Sequence, residues 1–498
     1  MIRSSLGIFI ISIAGLATAT SWAQSASDGD RAPITKPSEQ STLENGLIGI
    51  VSFQGEEALR PTIEQRMDEL EVRAASVAIY QQGELQWASA YGEAENPDTL
   101  FQAASLSKAV AAVGIVALAG EVGMDLDDDL TPSFAILQDP RVNPEGASVT
   151  LRQLLSHSAG TTISGFPGYD PEDAIPSTLD IALGRNGSTT PGIQIDPAHI
   201  GQRIYSGGGF HLTQLWAETV SGEPFPDLMD RLVLEPVGMK RSTFDLIAPG
   251  DERAANLALG FGEEGLPAEG GWLLYPQGAA AGMWSTPSDY GLFMSALIAS
   301  VTKNEDRGIH PDVGREVLTP AIGFTGLAVG FQIRQGQVRL SNSGDNRGYW
   351  NHTMSFPARG DVIVVMTSGP GGFILMGDIN RTAAEVYDWP ALPLIERERM
   401  ALSEEERGEL PGRYVHPETG EPAFDISIDQ DGKIILTTDQ PANSIYSYNG
   451  SFELVKTGTN TFTNTRFANE LTVQRTEDGE VSILRRGSGY TKLRNGSE

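Results

Sequence analysis

The stretch that decides the fold is FQAASLSKAVAAV, residues 101–113. A polar turn runs into an apolar segment here, which predicts a buried helix that begins near Ser105. Lys108 follows three positions later, so both side chains lie on one face of that helix. A lysine amine shielded from water can take a proton from a serine hydroxyl or hold a second base beside it. Taken alone, the stretch is better explained by a structural role than by catalysis: Ser105 would cap the helix, and the Lys108 amine would reach the surface.

A second stretch with the same spacing shows why the surroundings matter. Residues 300–303 read SVTK, so Ser300 and Lys303 repeat the pattern. There the lysine leads into the charged residues 304–307, where water would surround its amine. The chain holds seven lysines against 28 arginines, so a lysine inside an apolar segment is unusual for it. This context favours Ser105 and Lys108 as the reactive pair.

Composition excludes several classes of function. The 498 residues include 65 acids and 35 bases, a formal net charge of −30. A nucleic-acid partner needs clustered lysine and arginine, and the sequence has no such run. Cysteine is absent, which excludes disulfides, thiolate nucleophiles and cysteine-ligated metals. The sequence has no H-E-x-x-H motif, and we expect neither a cofactor nor a metal. It also has no G-x-S-x-G motif, which argues against an α/β-hydrolase.

The first residues of the chain predict a targeting segment rather than part of the folded domain. Arg3 precedes an apolar run over 6–17, and small residues end at Ala23, as in a secretory signal peptide over residues 1–23. A membrane anchor would need about 20 apolar residues, more than this run supplies. We therefore expect an exported protein, periplasmic or secreted, with no membrane span in the mature chain.

The rest of the chain divides by composition. We expect a disordered lead-in over 24–44, a catalytic domain over 45–390, a charged linker over 391–407 and an all-β barrel over 408–498. Within the catalytic domain, a hairpin near 76–90 and apolar helices are predicted, and Pro/Gly-rich loops could wall a site. The helices are expected near 60–72, 105–120, 211–221, 286–300 and 377–388, and the loops at 163–177 and 260–278.

Five segments in order along the chain resemble the penicillin-binding-protein and class C β-lactamase group of serine hydrolases. They are FQAASLSK (101–108), LRQLLSHSAG (151–160), YSG (205–207), AAGMWSTPSD (280–289) and NSGDNRGY (342–349). The resemblance implies an α/β (α+β) fold of the β-lactamase/transpeptidase-like type, with an antiparallel sheet flanked by helices. The tail resembles the lipocalin-like barrels that some members carry.

The resemblance also implies residue roles. Ser105 would be the acylated nucleophile, Lys108 its activator, and Tyr205 the general base or proton shuttle. Backbone N–H groups of Ser105 and of a late strand, there Asp345, would hold the oxyanion. Asn342 and Gly344 would lie beside it in the same segment.

Two departures from the family pattern bear on the substrate. Asn342 stands where the family has a cation, and Gly207 where it has an amide. Both changes weaken the case for β-lactam and D-Ala-D-Ala substrates. We therefore expect a serine hydrolase that cleaves an ester or amide in a small-molecule or peptide substrate. A β-lactamase, a D-Ala-D-Ala carboxypeptidase and a non-catalytic penicillin-binding-like protein remain the alternatives.

Two further features have ordinary structural interpretations. Residues 456–458 in the tail read KTG, the family's usual third motif, whereas residues 342–344 read NSG. We interpret 456–458 as a strand and turn, because 342–349 has the better flanks. His157 is interpreted as a structural hydrogen-bonding residue rather than a ligand or base.

Overall fold

The structure, a computed structural model, describes residues 38–261, 270–390, 392–416, 419–438, 450–465, 469–475, 481–485 and 488–492. The predicted signal peptide over 1–23 therefore lies outside the described residues. The helices are α1 Ser38–Glu44, α2 Ile63–Leu70, α3 Ser107–Glu121, α4 Leu151–Leu155, α5 Thr178–Ala182, α6 Gly207–Ser221, α7 Phe225–Met229, α8 Glu235–Val237, α9 Pro287–Thr302, α10 Pro311–Leu318, α11 Gly372–Val386 and α12 Glu404–Glu409.

The strands of the catalytic domain precede those of the tail. They are β1 Val51–Phe53, β2 Ala74–Gln81, β3 Glu84–Gly92, β4 Phe101–Gln102, β5 Ala159–Thr161, β6 Ile195–Ile200, β7 Trp284–Ser285, β8 Gly330–Arg334, β9 Gln337–Asn346, β10 Tyr349–Phe356, β11 Asp361–Ser368 and β12 Ile395–Arg397. The tail contains β13 Gly412–Val415, β14 Pro422–Ile428, β15 Ile434–Thr438, β16 Gly450–Lys456, β17 Thr461–Asn464, β18 Glu470–Arg475, β19 Val481–Arg485 and β20 Ser488–Lys492.

A six-stranded antiparallel sheet of order β3-β2-β11-β10-β9-β8 forms the centre of the catalytic domain. Seven of the eight residues of β2 and all eight of β11 are buried, because α9 covers one face and α11 the other. A two-residue turn at Gln82 and Gly83, both with positive φ, joins β2 to β3. The predicted α/β (α+β) fold with helices on both sides of an antiparallel sheet is confirmed.

Helix α3 runs through the core. Twelve of its fifteen residues are buried, in keeping with a sequence that is apolar all round. Among the described residues, the helical stretch 104–121 alone is long and apolar enough to span a membrane, and 78% of it is buried inside the protein. It is therefore the core helix of this domain.

Two predicted connecting segments contain regular structure. The expectation of a disordered lead-in over 24–44 is wrong at its end, because α1 forms there and Leu43 is fully buried in the core with residues of α11. Within the predicted linker 391–407, β12 pairs in parallel with β1, Val51 opposite Ile395. Each segment packs against a distant part of the chain, α1 against α11 and β12 against β1. The local sequence does not indicate these contacts.

The tail is a closed barrel of eight strands, β13 to β20 in order, as predicted for an all-β barrel. Its interior is filled by apolar side chains and leaves a cavity of about 10 Å³, room for one water at most. Arg399 ties it to the catalytic domain, since its guanidinium bonds Glu56 at 2.7 Å and the barrel residue Glu453 at 3.1 Å. The barrel therefore offers no interior ligand site among its described residues.

Candidate active site

Three side chains from distant parts of the sequence meet at one oxygen. The Lys108 amine donates to Ser105 Oγ at 2.9 Å, and the Tyr205 hydroxyl donates to the same atom at 2.7 Å. The structure thus brings together the three residues predicted as nucleophile, activator and base. Both groups lie within hydrogen-bonding distance of the serine oxygen, as is required of groups that exchange its proton.

Lys108 lies on the side of this cluster that faces the protein core. Its side chain is buried, and its amine also donates to the Ala280 carbonyl at 2.6 Å, in the π-helical turn Gly278–Gly282. The amine lies 5.0 Å from the ring centroid of Tyr205 and 5.8 Å from that of Phe210. Within the part of the chain that the structure describes, no carboxylate pairs with it. Neutral oxygens and aromatic faces alone therefore surround this amine.

A tight backbone holds Ser105 in position. It lies in a 3-10 turn, Ala104–Leu106, immediately before α3. Ala104 has φ of 51°, a left-handed conformation that costs energy in a residue with a Cβ and is common at active sites. Ser107 supports the turn, because its hydroxyl donates to the Ala104 carbonyl at 2.5 Å and accepts from Met283 N–H at 3.0 Å.

His157 fixes the backbone on both sides of Tyr205. Its Nδ1 accepts from Ser206 N–H at 3.2 Å and its carbonyl accepts from Ile204 N–H at 2.9 Å. The two rings pack with centroids 4.6 Å apart. Burial, with the charges of Lys108 and Arg203, lowers the pKa of His157 to about 3, so the ring is neutral. This geometry agrees with a structural role for His157.

Strand β9 lies against the nucleophile through a glycine. A Cβ added to Gly344 would lie 2.4 Å from the Ala103 carbonyl oxygen and 2.9 Å from Ser105 N. Only glycine lets the strand approach the serine backbone this closely. Among the described residues, 342–346 have no partner strand on their outer side, because β8 pairs only with the first half of β9. The predicted oxyanion segment therefore borders the serine.

The side chain of Asn342 is engaged in the protein. Its amide donates to the Ala328 carbonyl at 3.0 Å and accepts from Gly330 N–H at 3.1 Å. It thus fixes the loop that leads into β8. Asp345, by contrast, is exposed and lines the cavity.

A cavity of about 570 Å³ surrounds these residues. Phe166 forms one wall, and a Cβ added to Gly207 would lie 3.0 Å from its ring. Arg203 forms another wall, where its Nε donates to Thr325 Oγ at 2.7 Å. Sequence reasoning singled out the loop 163–177 as a possible wall, but it missed Phe166 and Arg203 individually. The residues next to Phe166 and Arg203 in the sequence form no motif that would have marked them as part of a site.

The other two motif-like stretches lie elsewhere in ordinary structure. Ser300 is fully buried with its hydroxyl on the Leu297 carbonyl at 2.7 Å, while Lys303 is exposed at the end of α9. Lys456 forms an ion pair of 2.7 Å with Glu406 in the tail. Neither lysine reaches the catalytic cavity.

The sheet flanked by helices, with a serine, a lysine and a tyrosine at one hydrogen-bonded centre, defines the β-lactamase/transpeptidase-like class of proteins. Residues 59–387 match the Beta-lactamase family, and the chain belongs to that family. A human beta-lactamase-like protein is 28% identical over 396 residues, which cover 72% of each chain.

Solved structures share the fold. An octameric penicillin-binding protein homologue from Pyrococcus abyssi superposes with a TM-score of 0.54 at 19% identity, over 86% of this chain and 97% of that one. A D-amino acid amidase from Ochrobactrum anthropi gives a TM-score of 0.52 at 22% identity, over 66% of this chain and 98% of that one. At these identities the likeness extends to the fold alone.

Proposed function

We propose that this protein is an exported serine hydrolase that cleaves an ester or amide through an acyl-enzyme on Ser105. The observation that carries the proposal is the convergence of the Lys108 amine and the Tyr205 hydroxyl on Ser105 Oγ, at 2.9 and 2.7 Å. A nucleophile and its base are expected within such hydrogen-bonding distance. Membership of a family that includes amidases and β-lactamases supports the reaction class.

The proposed reaction has two stages. Ser105 Oγ attacks the substrate carbonyl carbon, and its proton is taken up by the pair of Tyr205 and Lys108, with Tyr205 as base or proton shuttle and Lys108 as activator. The carbonyl oxygen becomes an oxyanion held by the backbone N–H groups of Ser105 and Asp345. The C–O or C–N bond then breaks, and the leaving group takes the proton from Tyr205. Water attacks the acyl-enzyme in the second stage, gives its proton to Tyr205, and returns the serine hydroxyl.

The walls of the cavity bear on the substrate. Phe166 occupies the space beside Gly207 where a side-chain amide would have to lie, and the Asn342 amide is engaged with backbone groups. Neither residue is placed to bind the groups that β-lactams and D-Ala-D-Ala peptides present. We therefore favour an esterase or peptidase of different specificity over a β-lactamase or a D-Ala-D-Ala carboxypeptidase.

Activity-based labelling tests the proposal. A fluorophosphonate probe is expected to modify Ser105 in the full-length protein, as located by mass spectrometry, and the Ser105→Ala variant should not react. Ser300→Ala is the matched control and should label like the natural protein. A folded natural protein that stays unlabelled by this probe and by labelled penicillin would instead indicate a non-catalytic binding protein.

A substrate panel separates the remaining options. We expect p-nitrophenyl esters or D-amino-acid amides to be cleaved faster than nitrocefin. Faster cleavage of nitrocefin would favour a β-lactamase, and release of D-alanine from D-Ala-D-Ala peptides a carboxypeptidase. N-terminal sequencing of the protein recovered outside the cytoplasm tests export, with cleavage expected near Ala23.

A further inference from the structure

A second cavity of about 300 Å³ lies between the sheet and α11. Side chains alternate between the two faces of a strand, so Arg339 and Ser343 of β9 face this cavity while Gly344 faces Ser105. Ser343 lines both cavities, so the second one adjoins the catalytic site. Six of its thirteen lining residues are apolar: Ile50, Phe373, Ile374, Met376, Leu392 and Pro393.

A buried cation without a counter-charge lies in this cavity. Arg339 is 6% exposed, and no carboxylate among the described residues pairs with it. Its guanidinium contacts only the Gln332 side-chain oxygen and, at 3.4 Å, the Met354 sulfur, while its Nε has no hydrogen-bond partner. An unpaired buried charge is costly, and natural proteins almost always give such a group a partner.

The other charges around the cavity balance one another. Asp378 accepts from Arg66 Nε at 2.8 Å and from Arg381 Nη1 at 2.9 Å, and Arg66 also pairs with Glu69 at 2.6 Å. Two acids therefore match two arginines, and Arg339 remains as the unpaired positive charge in the cavity lining, with the exposed Arg334 of β8 as a further cation near it.

The neighbouring polar groups add no charge. His352 is neutral, because burial and the Arg339 charge lower its pKa to about 4. Its Nε2 lies 2.9 Å from Ser341 Oγ, and Asn380 Nδ2 lies 3.0 Å from its Nδ1. Since Asn380 Nδ2 also donates to the Met376 carbonyl, the ring proton belongs on Nε2 and points at the serine. Ser341 and His352 are therefore not arranged as a nucleophile and base.

We propose that this cavity binds an apolar monocarboxylate, with its carboxylate on Arg339 and its hydrocarbon part against the six apolar walls. One excess charge matches a single carboxylate, and the planar guanidinium fits its two oxygens. The volume is at the lower end of the range for small-molecule sites. Among the described barrel residues, the interior cavity measures only about 10 Å³. The proposal does not depend on the hydrolase function.

The site can be tested by calorimetric titration with decanoate, 1-decanol and decyltrimethylammonium. The full chain is used with Ser105→Ala, which prevents turnover. Decanoate should bind at least tenfold more tightly than the other two. Arg339→Met should weaken decanoate at least tenfold and leave decanol unchanged. Arg203→Gln, in the catalytic cavity, is the control and should leave decanoate binding unchanged.

The melting temperature of each variant, measured by thermal unfolding, shows whether a loss of binding results from misfolding. Without ligand, Arg339→Met should melt no lower than the natural protein, because it removes an unpaired charge, and only the natural protein should gain stability from decanoate. Phe373→Asp, at a half-exposed wall position, should also reduce decanoate binding. Equal affinity for all three ligands, unchanged binding in Arg339→Met, or loss only in Arg203→Gln would overturn the proposal.

Discussion

The Tyr205 hydroxyl bonds Ser105 Oγ at 2.7 Å although the two residues lie 100 positions apart. Tyr205 is 40% exposed whereas Lys108 is 4% exposed. The serine thus has one partner facing solvent and one in the core. A substrate that enters the cavity would cover the tyrosine and leave the lysine's surroundings unchanged.

Replacing Tyr205 with phenylalanine removes the hydroxyl and keeps the ring that packs on His157. We expect kcat to fall about 10²- to 10⁴-fold with little change in KM, because a proton-transfer group is lost and the cavity keeps its shape. Steady-state kinetics with the best ester of the panel measures this. Tyr91→Phe, whose hydroxyl contacts Glu44 elsewhere, is the control and should retain activity.

Lys108→Arg should fold and lose at least about 10²-fold in kcat, since a guanidinium cannot exchange a proton usefully at neutral pH. Lys303→Arg, in the second stretch of the same spacing, should behave like the natural protein. A Lys108→Arg variant with near-natural turnover would refute the assigned role.

Gly207→Asn should reduce catalytic efficiency, because the new side chain meets the Phe166 ring 3.0 Å from its Cβ position and the Ser164 carbonyl at 3.1 Å. Phe166→Ala in the same chain should restore part of the loss, as expected for residues that share a space. Kinetics of the two single variants and the double variant gives their coupling. Additive effects would show that Phe166 does not limit this position.

Stability should fall as the solution becomes mildly acidic. Burial lowers the pKa of His157 to about 3 and of His211 and His352 to about 4, whereas an unfolded histidine titrates near 6.5. Below about pH 6.5 the unfolded chain therefore binds protons that the native chain does not. Each histidine should reduce the free energy of unfolding by about 1.4 kcal/mol per pH unit toward pH 4.

Urea unfolding between pH 7 and pH 5 measures that slope. His211→Asn, in α6, should remove about one histidine's share of it. His310→Asn is the control, because that ring is exposed and should contribute little. Identical slopes for the two variants would contradict the burial argument.

The sequence predicts those elements whose position depends on residues close together in the chain. The apolar runs of β2 and β11 and the position of α3 were visible because a fully buried element is apolar throughout. Ser105 and Lys108 could be paired because helix geometry fixes the distance between residues three positions apart. Placing Tyr205 in the same site depended instead on the ordered family motifs.

The remaining features depend on contacts between distant segments. Nothing near Gly207 indicates that Phe166 will fill its space, and nothing near Arg339 indicates that no acid will face it. Helix α1 and strand β12 were missed because each is short and is stabilised by a remote partner, α11 and β1 respectively.

The pairing of β2 with β11 also bears on the order of events during synthesis. Gln82 and Asp361, at one end of that pair, are bonded although they are 279 positions apart. The β2–β11 pair therefore cannot close until most of the chain has left the ribosome, and contacts of such long sequence separation form slowly. Late closure of this pair would suit the export that we propose, because a chain that crosses a membrane in the unfolded state must not fold beforehand.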